Sequence, residues 1–205
     1  LGEHVSRLGF GCMRFPTTPE GGIDESRAEA MLDSAYRAGV NYFDTAYFYH
    51  QHTSEAFVGR MMKKYPRDSF RLATKMPMSI VTSLDHAKEI FEGQLAALQT
   101  EYVDFYLFHA LNGERWEQAK EMGIVTYLEE QQKAGRIHHL GFSFHDSYEV
   151  FEKILTEREW DFCQIQFNYM DTEIQAGMKG YELAKRMGVP MFIMEPVKGG
   201  SLATL

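Results

Sequence analysis

Residues 84–109, LDHAKEIFEGQLAALQTEYVDFYLFH, hold the pattern on which the fold turns. Ala87, Ile90, Phe91, Leu95 and Leu98 recur at the spacing of one helical face, so the first half reads as an amphipathic helix. The next run, 103–109, is almost all aromatic or aliphatic, as in a strand covered on both sides. A helix that feeds directly into a doubly buried strand is the repeating unit of a parallel sheet with crossover helices.

The same unit recurs in both directions. Upstream, a helix starts at the cap candidate Asp24, carries Ala28, Met31, Leu32 and Ala35 on one face and stops at Gly39, just before a strand over 40–44. A helix over 53–64, with Val58, Met61 and Met62 on one face, precedes a strand over 70–75. Downstream, Val125 and Leu128 mark a helix ended by Gly135 before a strand over 137–143. Val150, Phe151, Ile154 and Leu155 mark another, capped by Asp146, before a strand over 162–167. A last helix over 181–187 ends at Gly188 and leads into 189–194. A first strand over 7–11 brings the count to seven. Eight such units close a (β/α)8 TIM barrel, so the expected class is α/β, with about seven of eight barrel strands in one domain spanning 1–205 that lacks its C-terminal βα unit. An open doubly wound sheet is the competing architecture. Its GxGxxG fingerprint is missing, because Arg14 stands where a third glycine would follow Gly9 and Gly11.

The composition fits one ordinary core: 205 residues, 44% hydrophobic, with net charge −8. That acidity and the lack of a basic stripe argue against nucleic acid as a partner. Two cysteines, Cys12 and Cys163, make neither a disulfide framework nor a metal-ligand spacing and read as core thiols. No apolar run is long enough to span a membrane and no signal peptide is evident, so no membrane partner and a cytoplasmic location are expected. Because the first residue is Leu1, the chain reads as an excerpt of a longer product. Oligomeric state leaves no signal in the residues.

In a barrel the loops after the strands build the active face, so ionisable residues at strand ends are the first candidates. Asp44, Lys75 and His109 each close an apolar run, and Tyr49 follows Asp44 by five residues. Each alone has a structural reading: a helix cap, a solvated strand end, a hydrogen-bonded core histidine, a packing tyrosine. Together they suit reduction of a carbonyl by hydride, which needs a proton donor for the developing alkoxide and fixed dipoles around it. Lys75 beside Tyr49 is expected to lower the phenol pKa, Asp44 to hold Lys75 charged, and His109 to hydrogen-bond the substrate oxygen.

These residues and their flanks resemble the aldo-keto reductase superfamily over essentially the whole chain. The matching segments are RLGFGCMR (7–14), AGVNYFDTAYFY (38–49), FRLATKMP (70–77), YVDFYLFHA (102–110), KAGRIHHLGFS (133–143), FCQIQFNYM (162–170) and FIMEPVKGG (192–200). The resemblance implies a catalytic tetrad of Asp44, Tyr49, Lys75 and His109, with Tyr49 rather than Tyr47 as the acid/base, and reversible reduction of a small-molecule aldehyde or ketone. It implies NADP(H) as cofactor, with NAD(H) as the alternative, bound by Met13, Asp44, Ser143, Gln164 and Met194. Phe144 stands where the family usually has asparagine, and Met194 where an aromatic often stacks on the nicotinamide. Phe144 and MEPVKGG (194–200) are more similar to the branch that carries a ferredoxin-like iron-sulfur tail. Any such cluster would lie beyond Leu205, and no metal is assigned within the chain. A cofactor-binding regulatory or redox-sensing protein with little turnover is the second functional reading, since some relatives keep the tetrad yet act through partners. His50 and His52 form an HxH that would suit a hydrolase metal pair, but the remaining ligands of such a site are missing. That segment and Trp116, in the long loop after His109, are expected to shape the substrate mouth.

Overall fold

The computed structural model describes residues 2–203. Seven strands, β1 Phe10–Gly11, β2 Tyr42–Asp44, β3 Arg71–Met76, β4 Val103–Leu111, β5 Ile137–Phe144, β6 Phe162–Gln166 and β7 Met191–Met194, form one sheet in strict chain order. Every neighbouring pair is parallel. A doubly wound sheet would reverse its strand order partway; an unreversed series is the wall of a (β/α)8 barrel. Among the described residues no pairing joins β7 to β1.

The crossovers are α1 Glu25–Arg37, α2 Ser54–Met62, α3 Leu84–Leu98, α5 Ile124–Lys133, α6 Tyr148–Thr156 and α7 Gly177–Met187, with an extra helix, α4 Gly113–Glu121, after β4. Asp24 caps α1 as expected, accepting the Arg27 N–H, and α7 ends at Gly188 with φ of 72°. Several expectations are corrected. The first strand shrinks from 7–11 to two residues. The cap of α6 is Ser147; Asp146 lies one residue earlier and accepts the Ser147 N–H instead. Met31 is 44% exposed, because Ala28 and Leu32 alone fill the buried edge of α1.

Trp116 is the largest correction. It sits in α4 rather than in a loop, is 2% exposed and packs edge-on to Phe108 and against Trp160. Its indole N–H donates to Glu157. It is a core residue and lines no substrate mouth. The missed helix has a polar, charged sequence, GERWEQAKE, whose few apolar positions are Trp116 and Ala119.

Strand alternation sorts the side chains into two sets. One faces the helices and joins the main core, including Phe43, Leu72, Tyr106, Phe108, Phe142 and Ile165. The other forms a compact plug of Tyr42, Ala73, Phe105, Leu107 and Phe162, with Phe192 packed on it. Phe192 stacks on Tyr42 at 4.5 Å and meets Phe105 and Phe162 edge-on at 5.4 Å. The pleat then dictates what lies one step further along each strand on the plug's side: Asp44 beyond Tyr42, Lys75 beyond Ala73, His109 beyond Leu107, Ser143 beyond Gly141 and Gln164 beyond Phe162. Phe144 falls on the opposite face, edge-on to Phe151 of α6 at 5.2 Å.

Candidate active site

The layer above the aromatic plug is polar. Lys75 on β3, 2% exposed, donates to Asp44 Oδ1 at 2.6 Å, to the Thr45 carbonyl at 2.7 Å and to the Tyr49 hydroxyl at 3.2 Å. Its three N–H bonds therefore have three partners, which is what a buried ammonium requires. Asp44 and the Tyr49 hydroxyl hold the Lys75 pKa above its usual value against the effect of burial. Tyr47, five residues nearer the chain start than His52, packs edge-on to that histidine and to Phe48. Tyr49 is thus the tyrosine delivered to Lys75.

The expected direction of the Tyr49 shift is corrected. Burial pushes the phenol pKa up, Lys75 pulls it down and Asp44 pushes it up again; the net direction is upward. A large desolvation cost of the phenolate outweighs one ammonium whose charge is already compensated by Asp44. The upward direction favours the protonated phenol over the phenolate at Tyr49.

His109 stands on β4 where the ladder to β5 slips between Phe108 and Leu111. The residue after it, Ala110, has φ of 48°, a left-handed value uncommon for a residue with a Cβ. Such a bulge re-aims a side chain at the end of a strand. The His109 ring lies 6.2 Å from Tyr49 and 6.1 Å from Phe48, and its Nδ1 is buried without a partner. Burial, then Lys75, His145 and Arg115, push its pKa down to about 3, so it is neutral.

Of the other expected residues, Ser143 and Gln164 face each other across the β5–β6 register. Ser143 Oγ accepts the Ala110 N–H at 2.8 Å; Gln164 Nε2 lies 3.4 Å from Asp44 Oδ2, and its Oε1 is buried without a partner. Met13 is 51% exposed in a 3-10 turn after β1, and Met194 closes β7, half-buried. His50 and His52 do not converge: His50 Nε2 accepts the Phe15 N–H at 3.1 Å while His52 packs on Tyr47 and Phe48. Among the described residues no group of three or more His, Cys, Asp or Glu could hold a metal ion, and no helix is long and apolar enough to cross a membrane.

Two features escaped the sequence reading. His50, Gln51 and His52, directly after Tyr49, all have left-handed φ of 49°, 55° and 69°. Consecutive non-glycine residues there cost about 1–2 kcal/mol each, strain placed directly after Tyr49 in the chain. Behind Lys75, on the helix side of β3, lies a buried network: Gln94 Nε2 donates to Glu55 at 2.8 Å and to the Lys75 carbonyl at 2.9 Å, Tyr106 donates to Gln94 Oε1 at 2.6 Å, and Thr74 donates to Glu55. Burial raises the Glu55 pKa against the opposing hydrogen bonds. A glutamate and a glutamine within otherwise apolar helix faces were the available signal.

The chain is similar to known proteins in both sequence and fold. The chain is 31% identical over 119 residues to "Probable aldo-keto reductase 1" of Glycine max, covering 54% of this chain and 34% of that protein. It is 23% identical over 222 residues to NADH-specific methylglyoxal reductase of Escherichia coli, covering 97% of this chain and 65% of the relative. The structure superposes on an aldo-keto reductase of Bacillus halodurans in its holo form with a TM-score of 0.80 at 29% identity, over 97% of this chain and 64% of that one. The chain thus spans between about a third and two thirds of the length of these relatives. The sequence profile of the Aldo/keto reductase family matches residues 7–205, and the chain belongs to that family.

Proposed function

We propose that this protein reduces an aldehyde or ketone to an alcohol with a nicotinamide cofactor, using Tyr49 as the proton donor. The observation that carries the reading is the three-way contact of Lys75 with Asp44, Thr45 and Tyr49. It fixes the phenol beside a buried cation while burial keeps it protonated. As the carbonyl oxygen gains negative charge, Tyr49 gives up its proton, and the Lys75 ammonium stabilises the phenolate left behind. Neutral His109, whose ring centre lies 6.2 Å from that of Tyr49, donates a hydrogen bond that orients the carbonyl oxygen.

Ser143 and Gln164 fit the cofactor's carboxamide. Ser143 Oγ accepts from Ala110, which leaves its hydroxyl proton available for a carboxamide oxygen, and the buried Gln164 Oε1 can accept from the carboxamide N–H. A primary amide presents one acceptor and two donors. When bound, the reduced nicotinamide supplies the hydride. Asp44, Met13 and Met194 complete the set we assign to the cofactor, Met194 offering a thioether face in place of an aromatic ring. NADP(H) is our first assignment and NAD(H) the alternative; the Escherichia coli relative is named for NADH. Phe144 and residues 194–200 resemble the branch of the family that carries a ferredoxin-like iron-sulfur tail, and we place the chain nearest to that branch.

Steady-state turnover with a panel of aldehydes and quinones, alongside equilibrium binding of NADPH and NADH, tests the proposal. Oxidation of cofactor matched by alcohol formation is expected. Tight cofactor binding with no turnover of any substrate would replace the reductase with a regulatory or redox-sensing protein.

A further inference from the structure

The segment following His109 holds a cation that the proposed chemistry does not use. Arg115 lies in the first turn of α4, on the side of the sheet where Asp44, Lys75, His109 and Ser143 end their strands. Its Nη1 donates to the carbonyl of Ala110, the residue next to His109, at 2.7 Å. Ala110 is itself held from below by Ser143, through its N–H at 2.8 Å. The guanidinium is therefore tethered to the bulge that aims His109, and it is only half-buried.

The charge around it is unbalanced. Among the described residues no carboxylate pairs with Arg115, although the chain carries 29 acidic residues against 21 basic ones. Its neighbour Glu114 is exposed and accepts instead from Gln118. Asp44, the one carboxylate hydrogen-bonded within the site, is engaged by Lys75. Burial first, then Lys75, exposed His145 just after β5, and Arg115 disfavour the protonated form of the His109 ring. The approach to His109 thus carries a guanidinium with no carboxylate partner among the described residues, in a protein that is acidic overall, and only one hydrogen bond of this planar, five-donor group, to the Ala110 carbonyl, is made there.

We propose that Arg115 anchors the carboxylate of an oxo acid, an aldehyde or ketone carrying a carboxylate group, and so sets the substrate class of this site. The inference rests on the reductase reading above. A guanidinium matches a carboxylate bidentately, and a substrate held at that end is oriented for its carbonyl to meet His109 and Tyr49. Held by the Ala110 carbonyl, the guanidinium loses less freedom on binding than a free surface arginine would.

The test uses 4-carboxybenzaldehyde and the neutral 4-nitrobenzaldehyde with the wild-type chain, Arg115→Met and Arg115→Lys. The ratio of kcat/KM for the charged over the neutral aldehyde is the readout, because loss of the Ala110 tether lowers both and cancels. Arg115→Met is expected to reduce that ratio by at least about tenfold, the worth of one charge-assisted hydrogen bond, and Arg115→Lys to restore part of it. Raising the salt concentration should shrink the wild-type ratio and not that of Arg115→Met. Equal ratios in wild type and Arg115→Met would overturn the assignment while leaving the reductase reading intact. If neither aldehyde is turned over, the reductase reading fails separately, and calorimetric titration with benzoate decides the anion site: it stands if Arg115→Met weakens binding at least about tenfold and falls if affinity is unchanged.

Discussion

Replacing Lys75 by methionine removes an ammonium and keeps the bulk. In the wild type, Lys75 Nζ lies 2.6 Å from Asp44 Oδ1 at a site where Lys75 is 2% and Asp44 8% exposed. At an effective dielectric of about 20 the gross attraction at that distance is about 6 kcal/mol. Desolvation of both ions offsets most of it, so the pair adds little net stability over an apolar substitute. Breaking it is another matter, because Asp44 is left buried with only Gln164 Nε2, at 3.4 Å, near its carboxylate. Lys75→Met should therefore lose about 3–5 kcal/mol of unfolding free energy. Asp44→Asn combined with Lys75→Met removes the orphaned charge and should recover most of that loss. Activity should not return in the double variant, since Tyr49 then lacks the cation that stabilises its phenolate. Urea denaturation followed by circular dichroism measures the first quantity and cofactor oxidation the second. A loss under about 1 kcal/mol in Lys75→Met, or no recovery in the double variant, would show that Asp44 is not left as an uncompensated buried charge.

Further outcomes follow from other parts of the structure. His109, with its pKa pushed down to about 3 by burial and nearby cations, binds its proton more weakly folded than unfolded, so its contribution lowers stability as pH falls from about 6.5 toward 3. The full effect is at most about 5 kcal/mol, and His109→Gln should flatten the acid limb of a stability-against-pH curve over that window. Gly59→Ala in α2 would set a Cβ 2.4 Å from the Ala97 carbonyl oxygen of α3, so the helices must separate, at a cost of about 1–3 kcal/mol by thermal or urea melting. Gln94→Leu strips hydrogen bonds from buried Glu55, Tyr106 and the Lys75 carbonyl together; a loss of at least about 2 kcal/mol is expected, with a fall in kcat because Lys75 is less firmly placed.

Much of the architecture was legible because its signals are local. The stripe Ala87, Ile90, Phe91, Leu95 and Leu98 became the buried face of α3, with each of the five 5% exposed or less. Strand-end positions were legible for a related reason: once the apolar runs were placed, the pleat left Asp44, Lys75, His109, Ser143 and Gln164 on one side of the sheet. Trp116 was misplaced because α4 is short and charged, and its one large apolar residue carries no periodicity to read. The upward shift at Tyr49 was equally hidden, since spacing reveals that Lys75 is near but not how thoroughly the plug and loops exclude water. The left-handed turn at His50, Gln51 and His52 contradicts residue preference, as strained backbone near a site commonly does.

In the proposed reaction Tyr49 delivers the proton to the reduced carbonyl. Comparing wild type with Tyr49→Phe, for oxidation of NADPH or NADH by an aldehyde and for cofactor binding by fluorescence quenching, tests it most directly. The phenylalanine keeps the ring above Lys75, whose Nζ lies 4.8 Å from the ring centre, and removes only the hydroxyl. A fall in kcat of about 10²–10⁴ is expected, with cofactor affinity nearly unchanged. Reduction by Tyr49→Phe at the wild-type rate would contradict it.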